Sequence, residues 1–385
     1  MAVKILLLSF AIRVLLSPIP GYAVDLSTFS AWFKTAAEHG PRVFYESTSF
    51  SDYPPFNVYI FWVFGHLAQS LSLFSKTSLV YVLKLPSNLF DMATSALIFV
   101  FLRRKLDFES SILAASFYAF NPATIFNTSI WGQFDAVYTF FLILTLVLIL
   151  DSMTEYSVIA FTLAILCKPQ SIALAPLIAF LIAKEKGWKG VVTSALISAA
   201  TTFITIAPLG WSNPLDFLVE IYITGYGGYP FTSIYAFNVW AFHGFWEPDS
   251  GRLLFLNFFT VGWLMFGALT AFALYHLSKG IDERRDLRVL FTAFVLLFGF
   301  FMLPTRVHER YLFPVFSVLA LAMPYSRDMK KIYGALSLTY LANQAYILSF
   351  LNKGEYLSSR DPFALTLTSF NVVTFLFTIR CTRLD

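Results

Sequence analysis

The chain alternates long apolar runs with short polar breaks. The runs lie at about Ile5 to Leu16, Val80 to Leu102, Ile112 to Thr128, Ala136 to Leu150, Ser157 to Cys167, Ser171 to Ala183, Val191 to Pro208, Leu253 to Leu277, Leu287 to Leu303, Leu312 to Met323, Ile332 to Leu351 and Pro362 to Ile379. Apolar runs approaching about 20 residues predict membrane-spanning helices, and the shorter ones predict spans that are tilted, broken or buried among neighbours. Between the first two runs the pattern changes: Leu26, Phe29, Trp32 and Phe33 recur at helical spacing. That spacing predicts an amphipathic helix lying on the membrane surface, with Asp25 at its start either as an N-cap or as a reactive carboxylate. Phe56 to Phe74 follows Tyr53-Pro54-Pro55 and is long enough either to span or to lie in the interface.

Charge distribution sets the orientation. The Lys/Arg clusters are Arg103-Arg104-Lys105, Lys184 to Lys189, Lys279 to Arg288, Arg327 to Lys331 and Arg380 to Arg383. Positive loops stay cytoplasmic. All five clusters fall inside if Phe56 to Phe74 does not cross, which predicts about twelve spans with both termini cytoplasmic. The expected class is therefore an all-α polytopic membrane protein with a long first external loop containing interfacial helices. The expected division is one integral-membrane domain over 1–385: a first external loop at 20–79, the rest of an N-terminal core at 80–208, a large aromatic external loop at 209–252, and C-terminal helices at 253–385. A removed signal peptide ending near Gly21 and Ala23 is the other reading of the first run.

Composition agrees with this class. Of 385 residues, 57% are hydrophobic and only 13% charged, against about 25% charged in soluble domains. The net charge of +4 sits in short loops, so no nucleic-acid partner is implied. The cysteines, Cys167 and Cys381, fall near opposite membrane faces, so neither a disulfide nor a metal site is expected.

With that orientation the outward-facing polar segments form one set: the Asp25 loop, Trp131-Gly132-Gln133-Phe134-Asp135, Cys167-Lys168-Pro169-Gln170, the loop from Leu209 to Arg252, Arg306 to Arg310, and Asn352 to Pro362. Each has a structural reading as well. Asp135 is placed to cap the helix after it, Lys168 to snorkel, and the rings of 209–252 to form an interfacial belt. Asp52, Lys84 and Asp91 read as members of structural pairs. Ionised residues at membrane depth cost about 2.5–3.5 kcal/mol at a helix centre, so two arginines, a histidine and a glutamate between apolar runs call for a reason. Arginine forks pair bidentately with phosphate oxygens, and an outward carboxylate supplies a base. Together these suit sugar transfer from a polyprenyl phosphate.

The motifs also carry a resemblance. Asp25-Leu26-x-x-Phe29-x-x-Trp32, Tyr53-Pro54-Pro55, Asn121-Pro122, Trp131-Gly132-Gln133-Phe134-Asp135, Lys168-Pro169-Gln170 and His308-Glu309-Arg310-Tyr311-Leu312-Phe313-Pro314 resemble the signature blocks of prokaryotic integral-membrane mannosyltransferases. Those proteins are related to the second mannosyltransferase of GPI-anchor synthesis, in the GT-C superfamily. The resemblance implies Asp25 as the catalytic base and Arg306, His308 and Arg310 on the lipid phosphate, with Glu309 orienting them. It implies Gln133, Asp135, Lys168 and Gln170 for sugar or acceptor. The donor would be a polyprenyl (dolichyl) phosphate hexose, most readily mannose, and the acceptor a glycan, glycolipid or protein at the external face of the cell membrane. No cofactor is expected, and no Asp-x-Asp pair stands at Asp25 or Asp135, which argues against a metal-dependent oligosaccharide transfer. The competing classes are a lipid or sugar flippase, against which stands the lack of an internal repeat, and a non-catalytic lipid-binding scaffold.

Overall fold

The computed structural model describes residues 1–281 and 284–381; Arg383, in the last basic cluster, lies outside them. The chain is helical almost throughout, and it divides into two compact units. The first comprises 1–94, 127–172 and 181–228, and the second comprises 95–126, 173–180 and 229–385.

The first unit begins with α1 (Ala2–Leu16) and α2 (Ala23–His39). Most of the apolar stripe that the spacing predicted on α2 is covered by protein. Phe29, Trp32, Phe33, Ala36 and Ala37 are buried, and the partner is α3 (Phe56–Ser70). A Cβ added at Gly65 of α3 would stand 2.1 Å from the Phe33 carbonyl oxygen, so the two backbones touch where glycine permits it. Trp32 stacks on Phe61 with ring centroids 5.5 Å apart, and Phe29 meets Phe134 at 4.8 Å. An apolar face buried against protein rings leaves little to offer lipid. At 15 residues α3 is too short to cross a bilayer unaided.

α4 (Leu79–Arg103) follows; α5 (Phe108–Ala119) and a break at Asn121-Pro122 belong to the second unit's 95–126 segment. Pro122 starts a short turn whose Asn121 side chain accepts from the Ala123 amide at 2.9 Å. A π-helical segment, Phe126–Trp131, then leads to α6 (Asp135–Leu150). The hairpin of α6 with α7 (Thr154–Cys167) is the first unit's principal helix pair. A 3-10 turn at Pro169–Leu174 leads into α8 (Ala175–Ile206). The two helices expected between Ser171 and Pro208 are both there: α8 is two helical segments that meet at Gly187, whose φ of 62° and ψ of −162° are not helical.

In the second unit, α9 (Phe258–Gly280) starts later than the apolar run does. Arg252–Leu253 and Leu256–Asn257 pair as an antiparallel β-ribbon, and the Asn257 side chain caps the helix by accepting from the Thr260 amide at 2.8 Å. Then follow α10 (Arg285–Met302), α11 (Pro314–Ala322), α12 (Arg327–Lys353) and α13 (Pro362–Cys381). Every residue of α11 is buried, which is how a nine-residue apolar helix persists.

By length and composition four helical stretches suffice to cross a bilayer: Leu79–Arg103, Pro169–Ile206, Phe258–Gly280 and Pro362–Cys381. Their apolar side chains are not all inside. Leu196, Phe203 and Ile204 on α8, Leu264 on α9, and Phe370, Val373 and Leu376 on α13 are exposed. Contiguous apolar faces of this kind need lipid to cover them. The protein is an integral membrane protein.

Candidate functional site

The predicted site residues fall into two groups, one in each unit. In the first unit the organising element is a polar seam on α4. Lys84, Ser87, Asn88 and Asp91 follow each other at helical spacing and are all buried, so they form one stripe on an otherwise apolar helix. Lys84 and Asp91 do not pair with each other. Asp91 accepts two hydrogen bonds from the Arg13 guanidinium, at 2.5 and 3.1 Å. Lys84 Nζ donates to the carbonyls of Ser17, Ile19, Ser129 and Ile130 at 2.7–3.0 Å. Ser87 Oγ donates to the Gln133 carbonyl at 2.7 Å, and Asn88 Oδ1 accepts from Ser129 Oγ at 2.9 Å.

The seam fixes the turn that carries Trp131-Gly132-Gln133. The amides of Gly132 and Gln133 both donate to the Asn127 carbonyl, at 2.9 and 3.0 Å, which closes the π turn. Such π turns recur at functional positions because they re-aim side chains that a regular helix would spread. Gly132 has φ +90°, the left-handed region that glycine enters at no steric cost. Gly21 is required for another reason: a Cβ there would stand 2.1 Å from the Trp131 carbonyl oxygen.

This turn grips Asp25. The α2 N-cap is Tyr22, so Asp25 sits inside the first turn and is not the cap. Its Oδ2 accepts from Trp131 Nε1 at 2.9 Å and from Gln133 Nε2 at 2.6 Å. Asp25 is half-buried, and its Oδ1 takes no hydrogen bond among the described residues. One oxygen is therefore held and the other is open. A carboxylate fixed this way is prepared to accept a proton along one direction.

Asp135 and Lys168 go elsewhere. Asp135 does not cap α6, and Lys168 does not snorkel. They form an ion pair at 2.7 Å with side chains 0% and 6% exposed, and Asn127 Nδ2 donates to the other Asp135 oxygen at 3.1 Å. The Lys168 ammonium also lies 5.3 Å from the centre of the Tyr53 ring, a cation–π distance. Gln170, beside it in sequence, is 9% exposed. The Tyr45 hydroxyl donates to the Tyr53 carbonyl at 2.8 Å. Burial pushes that hydroxyl well above its ordinary range, so it remains a donor. Tyr53 packs edge-on against both Phe29 and Phe134, so the Lys168 end of the group and the Asp25 end share one aromatic floor.

In the second unit the predicted basic loop is pinned on every side. Val307–His308 pairs in parallel with Ser233–Ile234, so a strand from the aromatic loop holds the basic one. Arg306 has φ 63°, a left-handed backbone unusual outside glycine. Its amide donates to the Phe231 carbonyl at 2.8 Å. Its guanidinium grips Asp249, Nε to Oδ2 at 2.7 Å, and lies 4.5 Å from the Phe259 ring centre. Arg310 NH1 donates to Glu309 Oε1 at 3.1 Å and stands 3.3 Å from His308 Nδ1. His308 meets the rings of Tyr229 and Tyr311 at 5.5 and 5.3 Å. Glu309 thus touches both His308 and Arg310, while Arg306 is served by a different carboxylate. Asp249 was not singled out from sequence, because nothing in its spacing ties it to a residue 57 positions later. The seam of α4 was legible in principle, from polar residues at helical spacing in an apolar run.

Compared with known proteins, residues 52–211 match the family described as dolichyl-phosphate-mannose-protein mannosyltransferase. The matched stretch contains the α4 seam, the Trp131–Gln133 turn and the Asp135–Lys168 pair. Among solved structures the chain is similar to the oligosaccharyltransferase of Archaeoglobus fulgidus in its apo form, with 14% identity, a TM-score of 0.43, and coverage of 98% of this chain and 55% of that one. It is similar also to the same enzyme tethered to an acceptor peptide containing the NVT sequon, with 14% identity, a TM-score of 0.41, and coverage of 99% and 54%. The chain therefore spans about half the length of the solved chains it resembles. No curated protein matches it.

Proposed function

We propose that the protein transfers a hexose, most readily mannose, from a polyprenyl-phosphate sugar to a glycan, glycolipid or protein acceptor, with inversion at the anomeric carbon. The acceptor hydroxyl oxygen attacks that carbon and its proton passes to Asp25. The bond from the anomeric carbon to the phosphate oxygen breaks, and the lipid phosphate leaves with the electron pair. Attack and departure on opposite faces give inversion. Arg306, His308 and Arg310 take the charge of the departing phosphate, with Glu309 orienting His308 and Arg310. Gln133, Asp135, Lys168 and Gln170 serve the sugar or acceptor, with Asp135 and Lys168 acting as a pair. In this reading the chain crosses the cell membrane about twelve times, with both termini cytoplasmic and the reaction at the external face.

The observation that carries the reading is the two-donor grip on Asp25 Oδ2 by Trp131 and Gln133. A merely structural surface carboxylate needs no such fixation, whereas a general base gains from it. The match of 52–211 to a family named for a dolichyl-phosphate-mannose donor supports the donor class.

The test is transfer of labelled mannose from polyprenyl-phosphate mannose to membrane acceptors, by the purified protein and by Asp25→Asn, with EDTA throughout. Loss of a base is expected to lower the rate by about 10²-fold or more. Full activity in the variant moves the base elsewhere. Absence of transfer by the parent with mannose and glucose donors, with lipid phosphate still bound, favours a flippase or scaffold.

A further inference from the structure

The contacts of Lys84 are unusual for a lysine. Its side chain is fully buried near the start of α4, and among the described residues it forms no ion pair. Its ammonium is surrounded by four backbone carbonyl oxygens, of Ser17 at 2.9 Å, Ile19 at 2.7 Å, Ser129 at 3.0 Å and Ile130 at 2.8 Å. An ammonium has three N–H donors. Four acceptors at nearly equal distance therefore describe a cage for a small sphere of charge more than three directed bonds. Carbonyl cages of this kind replace the hydration shell of potassium in channel filters, and ammonium and potassium are close in size.

The cage also has a position that matters. Two of its carbonyls belong to the segment leaving α1, and two belong to the residues immediately before Trp131. A Cβ added at Gly132 would lie 3.1 Å from Lys84 Cε, so the turn rests directly on the lysine stem. Trp131 and Gln133 in turn hold Asp25. Without a cation, four carbonyl dipoles would converge on one buried point with no donor between them, which a low-dielectric interior disfavours strongly.

We propose that this cage is a monovalent-cation site which Lys84 fills from within the chain, and that its charge holds the Trp131–Gln133 turn in place. Lys84 is on this view a positioning residue. Shortening it empties a site suited to potassium, ammonium or methylammonium, and ill suited to the smaller lithium.

The experiment uses the full chain in lipid nanodiscs as parent, Lys84→Ala and Lys84→Met. Thermal unfolding is followed by tryptophan fluorescence in the chlorides of potassium, ammonium, methylammonium, sodium and lithium at matched ionic strength. The parent midpoint should be the same in every salt. Lys84→Ala should unfold about 5 °C or more higher in potassium or ammonium than in lithium. Lys84→Met, which keeps the stem without the charge, should be destabilised equally in all salts. A second reading is sugar transfer by Lys84→Ala, expected to rise about 10-fold from lithium to potassium. This arm alone rests on the proposed transferase function, so a silent transfer assay with a cation-dependent midpoint indicts that function and not the cage. A Lys84→Ala midpoint that ignores the cation overturns the proposal, whether the variant is as stable as the parent or uniformly weakened. So does a Lys84→Met variant as stable as the parent, and so does a Lys84→Ala variant that cannot be recovered folded in any of the five salts.

Discussion

Gln133 Nε2 donates to Asp25 Oδ2 at 2.6 Å, across 108 positions of sequence. The bond joins the first turn of α2 to the turn before α6. It orients a half-buried carboxylate without burying it, which is the compromise a general base needs between fixation and access. Gln133→Leu keeps the size of the side chain and removes the donor. On the proposed function, transfer should fall by about 10-fold in kcat with donor KM nearly unchanged, because Asp25 as the proposed base would lose orientation while donor binding would not change. Steady-state kinetics with varied donor concentration would show it, and a change confined to KM would contradict it.

The Asp135–Lys168 pair is buried at both ends, and removing one partner leaves an uncompensated charge or donor in a dry site. Lys168→Met or Asp135→Ala alone should cost about 3–5 kcal/mol, and the double variant should recover much of it. Denaturant unfolding in mixed micelles measures both. If the double variant is as unstable as the sum of the singles, the pair is not a coupled unit.

Asp249 holds Arg306 by a guanidinium–carboxylate contact with Nε at 2.7 Å. Arg306 has a left-handed backbone, φ 63°, and its side chain takes its direction from this anchor. Asp249→Ala should therefore mimic Arg306→Lys, raising donor KM about 10-fold in each, and combining them should add little. Additive effects in the double variant would mean that Asp249 acts independently of Arg306.

Gly21 and Gly132 both stand against the Lys84 cage: an added Cβ would lie 3.0 Å from the Ile130 carbonyl oxygen at the first and 3.1 Å from Lys84 Cε at the second. Gly132→Ala forces a Cβ into a left-handed turn, and Gly21→Ala drives one into the Trp131 carbonyl. Strain and overpacking of this kind cost about 1–3 kcal/mol each. Thermal unfolding of the two variants checks this. By contrast Gly267→Ala, where an added Cβ meets nothing within 4 Å, should be neutral or slightly stabilising.

Several features followed from sequence because they rest on local physics. Apolar run length predicted α4, α9 and α13 to within a few residues at most ends, since a helix that must satisfy its own backbone in lipid is set by its own composition. The break near Lys184 to Lys189 appeared as a non-helical Gly187. The amphipathic stripe of α2 was also correct as a stripe. What covers it was not legible, because hydrophobic spacing identifies a face that must be covered without naming the cover; here α3 and Phe134 pack on it.

The site divides along the same line. Sequence by itself marked the Arg306–Arg310 loop as charge too costly to hold at membrane depth without a reason, and set Asp25, Asp135 and Lys168 on the same side. It also matched them, in order, to blocks that resemble GT-C proteins. Which partner each group takes was decided only by the fold. Asp135 turned to Lys168, Arg306 to Asp249, Arg13 to Asp91, and Lys84 to four carbonyls, because contacts between residues far apart in the chain depend on backbone positions that no local pattern encodes. The cost of an unpaired polar group is written in the sequence; the pairing that offsets it exists only once the chain has folded.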